Sequence, residues 1–441
     1  MKRPIAIAAI VLASGSAAAA AKPTYDTLIR NGTIYDGSGR PPYRGDVAIR
    51  GDKIVYVGRK ASGRAKHLVN ARGLAIAPGF INMLSWGVET LIADGRGLSD
   101  IHQGFTLEVF GEGESMGPLT PEMKKRLEKR QADIKYPISW TSLEDYLQFL
   151  DKRGVSPNVA SFVGAATVRV HELGEKDVDP NPEQLKRMRG LVHEAMQQGA
   201  MGVASALIYA PGSFAETPEL IALAEEAGRC GGMYISHMRS EGDRVLESTD
   251  ELIEISRKSR TPAEIYHMKK AGTQNWGKLD AMIGKIETAR ASGQKITADM
   301  YTYTAGFTGL DASMPRWVQN GGLEAWIERM KDPAVRGRVA EEMRSRQDKW
   351  ENMLQLAGGA DNVLMVAFKS DKLKPLTGKT LAEIARMRGT SPEETAIDLV
   401  VEDGSRVGAA YFVMSEDNVK RQVGLPWMSI ATDRPLQKAF S

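Results

Sequence analysis

Cysteine is all but missing from this 441-residue chain. The single Cys230 excludes an intramolecular disulfide, and its place at the end of a helical pattern reads as a buried structural thiol rather than a nucleophile. An excess of either charge is missing too. Fifty-eight Lys plus Arg face 55 Asp plus Glu, a net charge of +3, so neither nucleic acid nor an anionic membrane surface is indicated as a partner. Beyond the N-terminus there is no long apolar run, and histidine occurs only six times, so each one can be weighed singly.

Residues 1–21 carry Lys2 and Arg3, an apolar stretch over 5–13, then Ser-Gly-Ser and a run of alanines. This is the pattern of a secretory signal peptide, too short for a membrane span, and it predicts export to the periplasm of a Gram-negative cell or secretion, with no membrane insertion after cleavage. From residue 27 to 57, short β-runs are broken by Asn31-Gly32, Asp36-Gly37 and Gly51-Asp52, as in a small antiparallel sheet. A polar link over 59–66 follows, and then strand and helix signals alternate.

Eight apolar runs are candidate strands: 75–83, 105–110, 159–165, 201–207, 233–236, 263–266, 296–300 and 428–432. Eight is the count of a parallel (β/α)8 barrel, which occupies about 250 residues. Helices are signalled between them. Thr217-Pro218-Glu219 starts one whose stripe Leu220, Ile221, Leu223, Ala224 and Ala227 ends before Gly228. Residues 309–424 break the rhythm, with helical segments near 323–330 and 335–354 and β-runs at 363–368 and 409–414. That stretch is too long for one barrel connection and reads as an insertion able to cover the mouth of a site. The expected division is a signal peptide over 1–21, a β-domain over 22–74, and a barrel over 75–441 with its insertion at about 309–424.

His237 closes Tyr-Ile-Ser-His and His267 closes Glu-Ile-Tyr-His, thirty residues apart, which is one strand-plus-helix unit. A parallel barrel brings the ends of successive strands to one rim, so the two imidazoles can converge on one ion. The run over 427–432 ends in Asp433, a carboxylate suited to binding that ion or to serving as base for water. Together these suggest a metal-assisted hydrolase; the plainer alternative is a pair of structural histidines. His67, His102 and His193 read as structural, and His171 follows a strand-like run over 166–170 without a partner that can be named.

Several blocks occur in order along the chain: Leu28-Ile29-Arg-Asn-Gly-Thr-Ile34, Ala77-Pro-Gly-Phe-Ile-Asn82, Gly104-Phe-Thr106 with Glu108-Val-Phe-Gly-Glu-Gly, Ile208-Tyr-Ala-Pro-Gly212, Ser236-His-Met-Arg-Ser-Glu-Gly242, His267-Met-Lys-Lys, Asp299-Met-Tyr-Thr-Tyr-Thr-Ala-Gly306 and Thr432-Asp433. In these the chain resembles the N-acyl-D-amino-acid deacylase (D-aminoacylase) group of the amidohydrolase superfamily. The resemblance implies a TIM-like α/β barrel with a small β-sandwich, one or two divalent ions at the rim, and hydrolysis of the linear amide of an N-acyl-D-amino acid. It makes His237 and His267 ligands of the tightly held metal. Asp433 becomes the residue that takes a proton from the attacking water and returns it to the leaving amine. Lys269, Tyr209 and Tyr301 become the group that holds the substrate carboxylate.

Three departures qualify that picture. Where the superfamily carries His-x-His after the first strand, this chain reads Leu84-Ser85-Trp86, which predicts that only one ion is held. Where D-aminoacylases carry a ligand thiolate stands Gly113, flanked by Glu112 and Glu114; Glu112 is the favoured third ligand. Only eight residues follow Asp433, which predicts a composite domain incomplete at its C-terminus. Two imidazoles and a carboxylate suit zinc best, with cobalt, nickel, manganese or iron also able to bind. The alternatives are another amidohydrolase reaction, on a cyclic amide or a dipeptide, and a non-catalytic barrel that binds acylated metabolites.

Overall fold

The computed structural model describes residues 24–345 and 350–434; the segment read as a signal peptide lies outside them. Two compact units part between Gly79 and Phe80. In the first, β1 (Thr24–Ile34) pairs antiparallel with β2 (Tyr43–Arg50) and β2 with β3 (Lys53–Gly58), while β4 (Arg64–Asn70) and β5 (Ala75–Ile76) run parallel to β1. The sheet is thus mixed rather than purely antiparallel. Part of the expected polar link is β4, whose side chains are almost all exposed and so carry no period-two signal. Tyr25, Leu28, Ala48 and Ala61 form a small core.

The run expected as the first barrel strand is divided by Pro78-Gly79. Ala75 and Ile76 pair with Thr33 and Ile34 in the first sheet, and the barrel begins only at β6 (Phe80–Asn82). Proline has no N–H to continue a ladder, which makes the dipeptide a break between two strands. In the second unit β6, β7 (Phe105–Phe110) and β8 (Asn158–Ser161) are parallel neighbours. β9 (Val163–Gly164), β10 (Gly202–Ala206), β11 (Met233–His237), β12 (Ala263–Ile265) and β13 (Ile296–Met300) continue in order. β8 and β9 are one strand interrupted at Phe162, whose N–H donates to the Phe110 carbonyl at 2.9 Å.

β14 (Gly306–Gly309), β15 (Val363–Ala367) and β16 (Gly408–Tyr411) form a separate antiparallel sheet with β16 in the middle, and it packs with its helices around Leu310, Val318, Trp326, Val339 and Tyr411. The helix expected over 335–354 is shorter: Pro333–Arg344 is one helix and Met353–Leu356 a separate turn. β17 (Met428–Ile430) then pairs with β13, and the barrel closes where Asp433 N–H donates to the Leu84 carbonyl at 2.9 Å and Thr432 N–H to Asn82 Oδ1 at 2.9 Å. Leu84, Val109, Phe162, Ala204, Ile235, Tyr266 and Ala431 fill the interior.

The outer helices start where capping chemistry places them. Asn181 and Gln184 make a reciprocal capping box for Pro182–Gln197, and Thr217–Arg229 buries Leu220, Leu223, Ala224 and Ala227 against the barrel. Cys230 caps that second helix and is half-buried rather than buried. The run over 166–170 is not a strand. It lies in the helix Ala165–Leu173, and His171 sits in that helix's last turn. Among the described residues no helix is long and apolar enough to cross a membrane.

Candidate metal centre

The C-terminal ends of the barrel strands open into a cavity of about 820 Å³. Its floor is a cluster of three buried donors, Glu112, His237 and His267, whose ligand atoms all lie within 4.8 Å of one another. Each comes from a strand end. Glu112 follows β7, on a turn where Gly111 (φ +109°) must be glycine because a Cβ there would lie 2.5 Å from the Phe162 carbonyl oxygen. His237 is the last residue of β11, and His267 stands two residues beyond β12. His267 takes a left-handed backbone (φ +33°), and its N–H is fixed by Asp299 Oδ1 at 2.8 Å.

Glu112 Oε1 meets His237 Nδ1 at 3.0 Å and His267 Nε2 at 2.9 Å. Against the burial that would raise it, the hydrogen bonds with these two imidazoles hold the Glu112 carboxyl far below its usual range, so it is a carboxylate at any working pH. Position 113 could not supply a donor: with φ +67°, a Cβ there would lie 2.6 Å from Ala206 Cβ. Glu114 is exposed and stands apart from the cluster. His237 Nε2 is buried without a hydrogen-bond partner, 3.6 Å from Glu241 Oε2.

Glu241 is the residue that sequence reasoning missed. Buried beside the two histidines, its Oε1 receives His267 Nδ1 at 3.0 Å and Lys269 Nζ at 2.6 Å. Burial alone would raise its pKa; Lys269 and then the two histidines overcome that and lower it. Its signal was present, since it stands four residues after His237 inside Ser-His-Met-Arg-Ser-Glu. A carboxylate that fixes the far nitrogen of a ligand imidazole sets the tautomer and the ring orientation. Lys269, expected at the substrate carboxylate, does line the cavity, but its ammonium is committed to Glu241 and lies 2.7 Å from His267 Nδ1.

Tyr209 sets its ring edge-on to His237 at 5.1 Å, and Tyr301 lies 6.1 Å from the His267 ring with Lys269 Nζ 5.2 Å from its own centroid. Burial pushes both phenols well up, so each stays a hydroxyl donor. Asp433 follows β17 in a left-handed conformation (φ +50°) and lines the cavity. Burial pushes its carboxyl up to about 7, with Glu112 adding to the rise and His267, Lys269 and a Trp86 hydrogen bond opposing it. That bond runs from Trp86 Nε1 to Asp433 Oδ1 at 3.2 Å. Of the two side chains that stand where His-x-His was expected, Leu84 therefore belongs to the apolar interior, and Trp86 orients the carboxylate.

The donor set fits a divalent ion. It offers one carboxylate and two imidazoles, brings them together with a buried nitrogen left unpaired, and matches the His₂Glu composition of hydrolytic zinc sites.

No protein-family model matches the chain. It is 29% identical over 413 residues to D-aminoacylase of Alcaligenes xylosoxydans xylosoxydans, a match spanning 93% of this chain and 74% of that protein. It is 32% identical over 290 residues to N-acyl-D-aspartate deacylase of the same organism, covering 65% of this chain and 57% of the relative. Among solved structures, N-acyl-D-glutamate deacylase from Bordetella bronchiseptica, complexed with zinc and a phosphonate inhibitor that mimics the tetrahedral intermediate, superposes with a TM-score of 0.74 at 26% identity, over 93% of this chain and 76% of that one.

Proposed function

The chain belongs to the D-aminoacylase family of the amidohydrolase superfamily, and from that premise we propose that it hydrolyses the amide bond of N-acyl-D-amino acids with one divalent ion, zinc, held by Glu112, His237 and His267. The observation that carries this reading is the convergence of those three donors beneath a cavity whose wall also holds Asp433. Leu84 and Trp86 support a single ion, because neither an alkyl nor an indole side chain binds a hard or borderline cation. An ion in such a site acidifies water and polarises the amide carbonyl.

The chain's own groups do the rest. Asp433, held by Trp86 through one oxygen, accepts the proton of the attacking water and delivers it to the departing amine; a carboxyl near pH 7 can serve in both directions. Glu241 keeps His267 in the tautomer that presents Nε2 to the cluster. Tyr209 and Tyr301 supply hydroxyl donors at the cavity wall. The charged, apolar and alanine-rich order of residues 1–21 supports a periplasmic or secreted location for this work.

The test is metal analysis by elemental mass spectrometry together with amine release from paired N-acyl-D- and N-acyl-L-amino acids. About one equivalent of metal is expected, lost in His237→Ala and His267→Ala, with turnover of the D-series only. Full turnover in either variant would overturn the assignment of ligands. Two equivalents in the wild type would overturn the single-ion reading.

A further inference from the structure

Four non-histidine cations line the cavity: Arg130, Lys269, Lys369 and Arg406. In three of them a terminal nitrogen is engaged. Arg130 pairs with Glu175 at 2.8 Å, Lys369 Nζ donates to the Lys129 carbonyl at 3.1 Å, and Lys269 donates to Glu241 at 2.6 Å. Arg406 differs. Only its Nε is bonded, to buried Asp311 Oδ2 at 2.8 Å, and among the described residues its two terminal Nη groups have no partner. Glu114, solvated on the cavity side, is the other acid whose charge reaches it, without a hydrogen bond.

The geometry fixes where that open end lies. The guanidinium carbon stands 4.9 Å from the Tyr209 ring centroid and that ring 5.1 Å from His237, which puts the fork within about 10 Å of the metal-binding imidazole. The backbone is held as tightly. Leu310 N–H donates to both the Arg406 and the Val407 carbonyls, at 2.9 and 3.0 Å, and Val407 adopts φ +56°. A left-handed backbone is costly for a β-branched residue, and such strain persists where the surroundings impose it, characteristically at ligand sites. Of the five non-glycine residues with positive φ among the described residues, His267, Asp433 and Val407 all line this one cavity.

We propose that Arg406 is the anchor for the α-carboxylate of the substrate, its end-on Nη pair taking both carboxylate oxygens while Asp311 and Tyr209 hold the guanidinium in plane. This rests on the hydrolase reading and deepens it. The substrates are then N-acyl amino acids with a free carboxylate, and amides, esters and C-terminally extended acyl-peptides are rejected because they leave the fork unpaired. Lys269 acts instead through Glu241 and the metal site.

The experiment compares N-acetyl-D-methionine with N-acetyl-D-methioninamide on the zinc-loaded full chain, by calorimetric binding and by kcat and KM, in wild type, Arg406→Gln and Arg406→Lys. Wild type should favour the acid by about 100-fold. In Arg406→Gln the ratio should fall to near one, chiefly through KM, and Arg406→Lys should be intermediate because an ammonium cannot form the fork. Equal melting temperature and zinc content certify the variants. Should Arg406→Gln fail to fold, Arg406→Lys and the acid-to-amide ratio of wild type alone still decide. An unchanged ratio in a folded variant, or no preference for the acid in wild type, overturns the anchor. If wild type binds the acid selectively through Arg406 yet turns over neither compound, the anchor stands and the hydrolase reading falls.

Discussion

A single buried carboxylate can be worth more to this centre than its distance from any substrate suggests, and Glu241 is the case in point. It bonds His267 Nδ1 and neutralises Lys269, so Glu241→Gln keeps the shape but leaves Lys269 as an uncompensated buried charge beside the cluster. Zinc affinity, measured by competition with a chromophoric chelator, should fall by about 10- to 100-fold, the usual loss when the outer partner of a ligand histidine is removed. Unchanged affinity would show that Glu241 serves only to bury Lys269. Asp433 should separate from it cleanly. Asp433→Asn removes the proposed proton acceptor but none of the three proposed ligands, so kcat should drop by about 10²- to 10⁴-fold with zinc content unaltered. Loss of zinc in that variant would mean that Asp433 is a ligand and that the donor set is larger than three.

At the scale of elements the decisive feature is the closure between the first and last barrel strands. Asn82 makes it: its Nδ2 donates to Glu108 Oε2 and to Thr432 Oγ1, both at 2.8 Å, and its Oδ1 accepts the Thr432 N–H at 2.9 Å. Asn82→Ala, which orphans several fully buried groups, should cost about 2–4 kcal/mol in denaturant unfolding. Burial, with Asp100 adding to it, pushes the Glu108 carboxyl up to about 7, against hydrogen bonds from Ser85 and Asn82. Since that lies above the unfolded value near 4.5, the contribution of Glu108 to stability is present below pH 4.5 and is lost as pH rises through about 7. Relative to Glu108→Gln, wild type should therefore lose up to about 3 kcal/mol between pH 5 and pH 8; a pH-independent difference would show that Glu108 is already ionised at pH 5. Legibility followed the range of the interactions. Capped helices and apolar strands are local patterns, so the strand-helix repeat could be read, as could the strand-end residues Glu112, His237, His267 and Asp433. The β5–β6 break at Pro78-Gly79 was in plain view and misread as a continuous strand. Of the insertion's sheet, the runs that form β15 and β16 were legible and β14 was not: it is Gly-Phe-Thr-Gly, and its register, Gly306 against Tyr411, spans over a hundred residues. Arg406 gave no signal at all, because its left-handed neighbour is a valine, the kind of residue local rules assign to strands.

Across the whole molecule the three donors proposed to hold the ion join distant parts of the chain. Glu112 meets His237 across 125 residues of sequence and His267 across 155, joining the second barrel strand to the fifth and sixth. An unfolded chain holds three donors so far apart only weakly, so an ion that binds the native cluster stabilises the fold by mass action. With free zinc at 1,000 times its dissociation constant the gain is about 4 kcal/mol. For a domain of this size, where each kcal/mol moves the midpoint by roughly 1–3 °C, that amounts to about 4–12 °C. Melting followed by circular dichroism with and without a chelator should show that difference in wild type and lose it in His237→Ala, which removes a ligand while its small cavity costs both states alike. The shift should also grow with zinc concentration, since its origin is binding and not a fixed repacking. If chelation leaves the midpoint of wild type unmoved while zinc is shown to leave the protein, the three donors are held together by packing and their hydrogen bonds alone, and the cluster's convergence is a property of the barrel rather than of the ion.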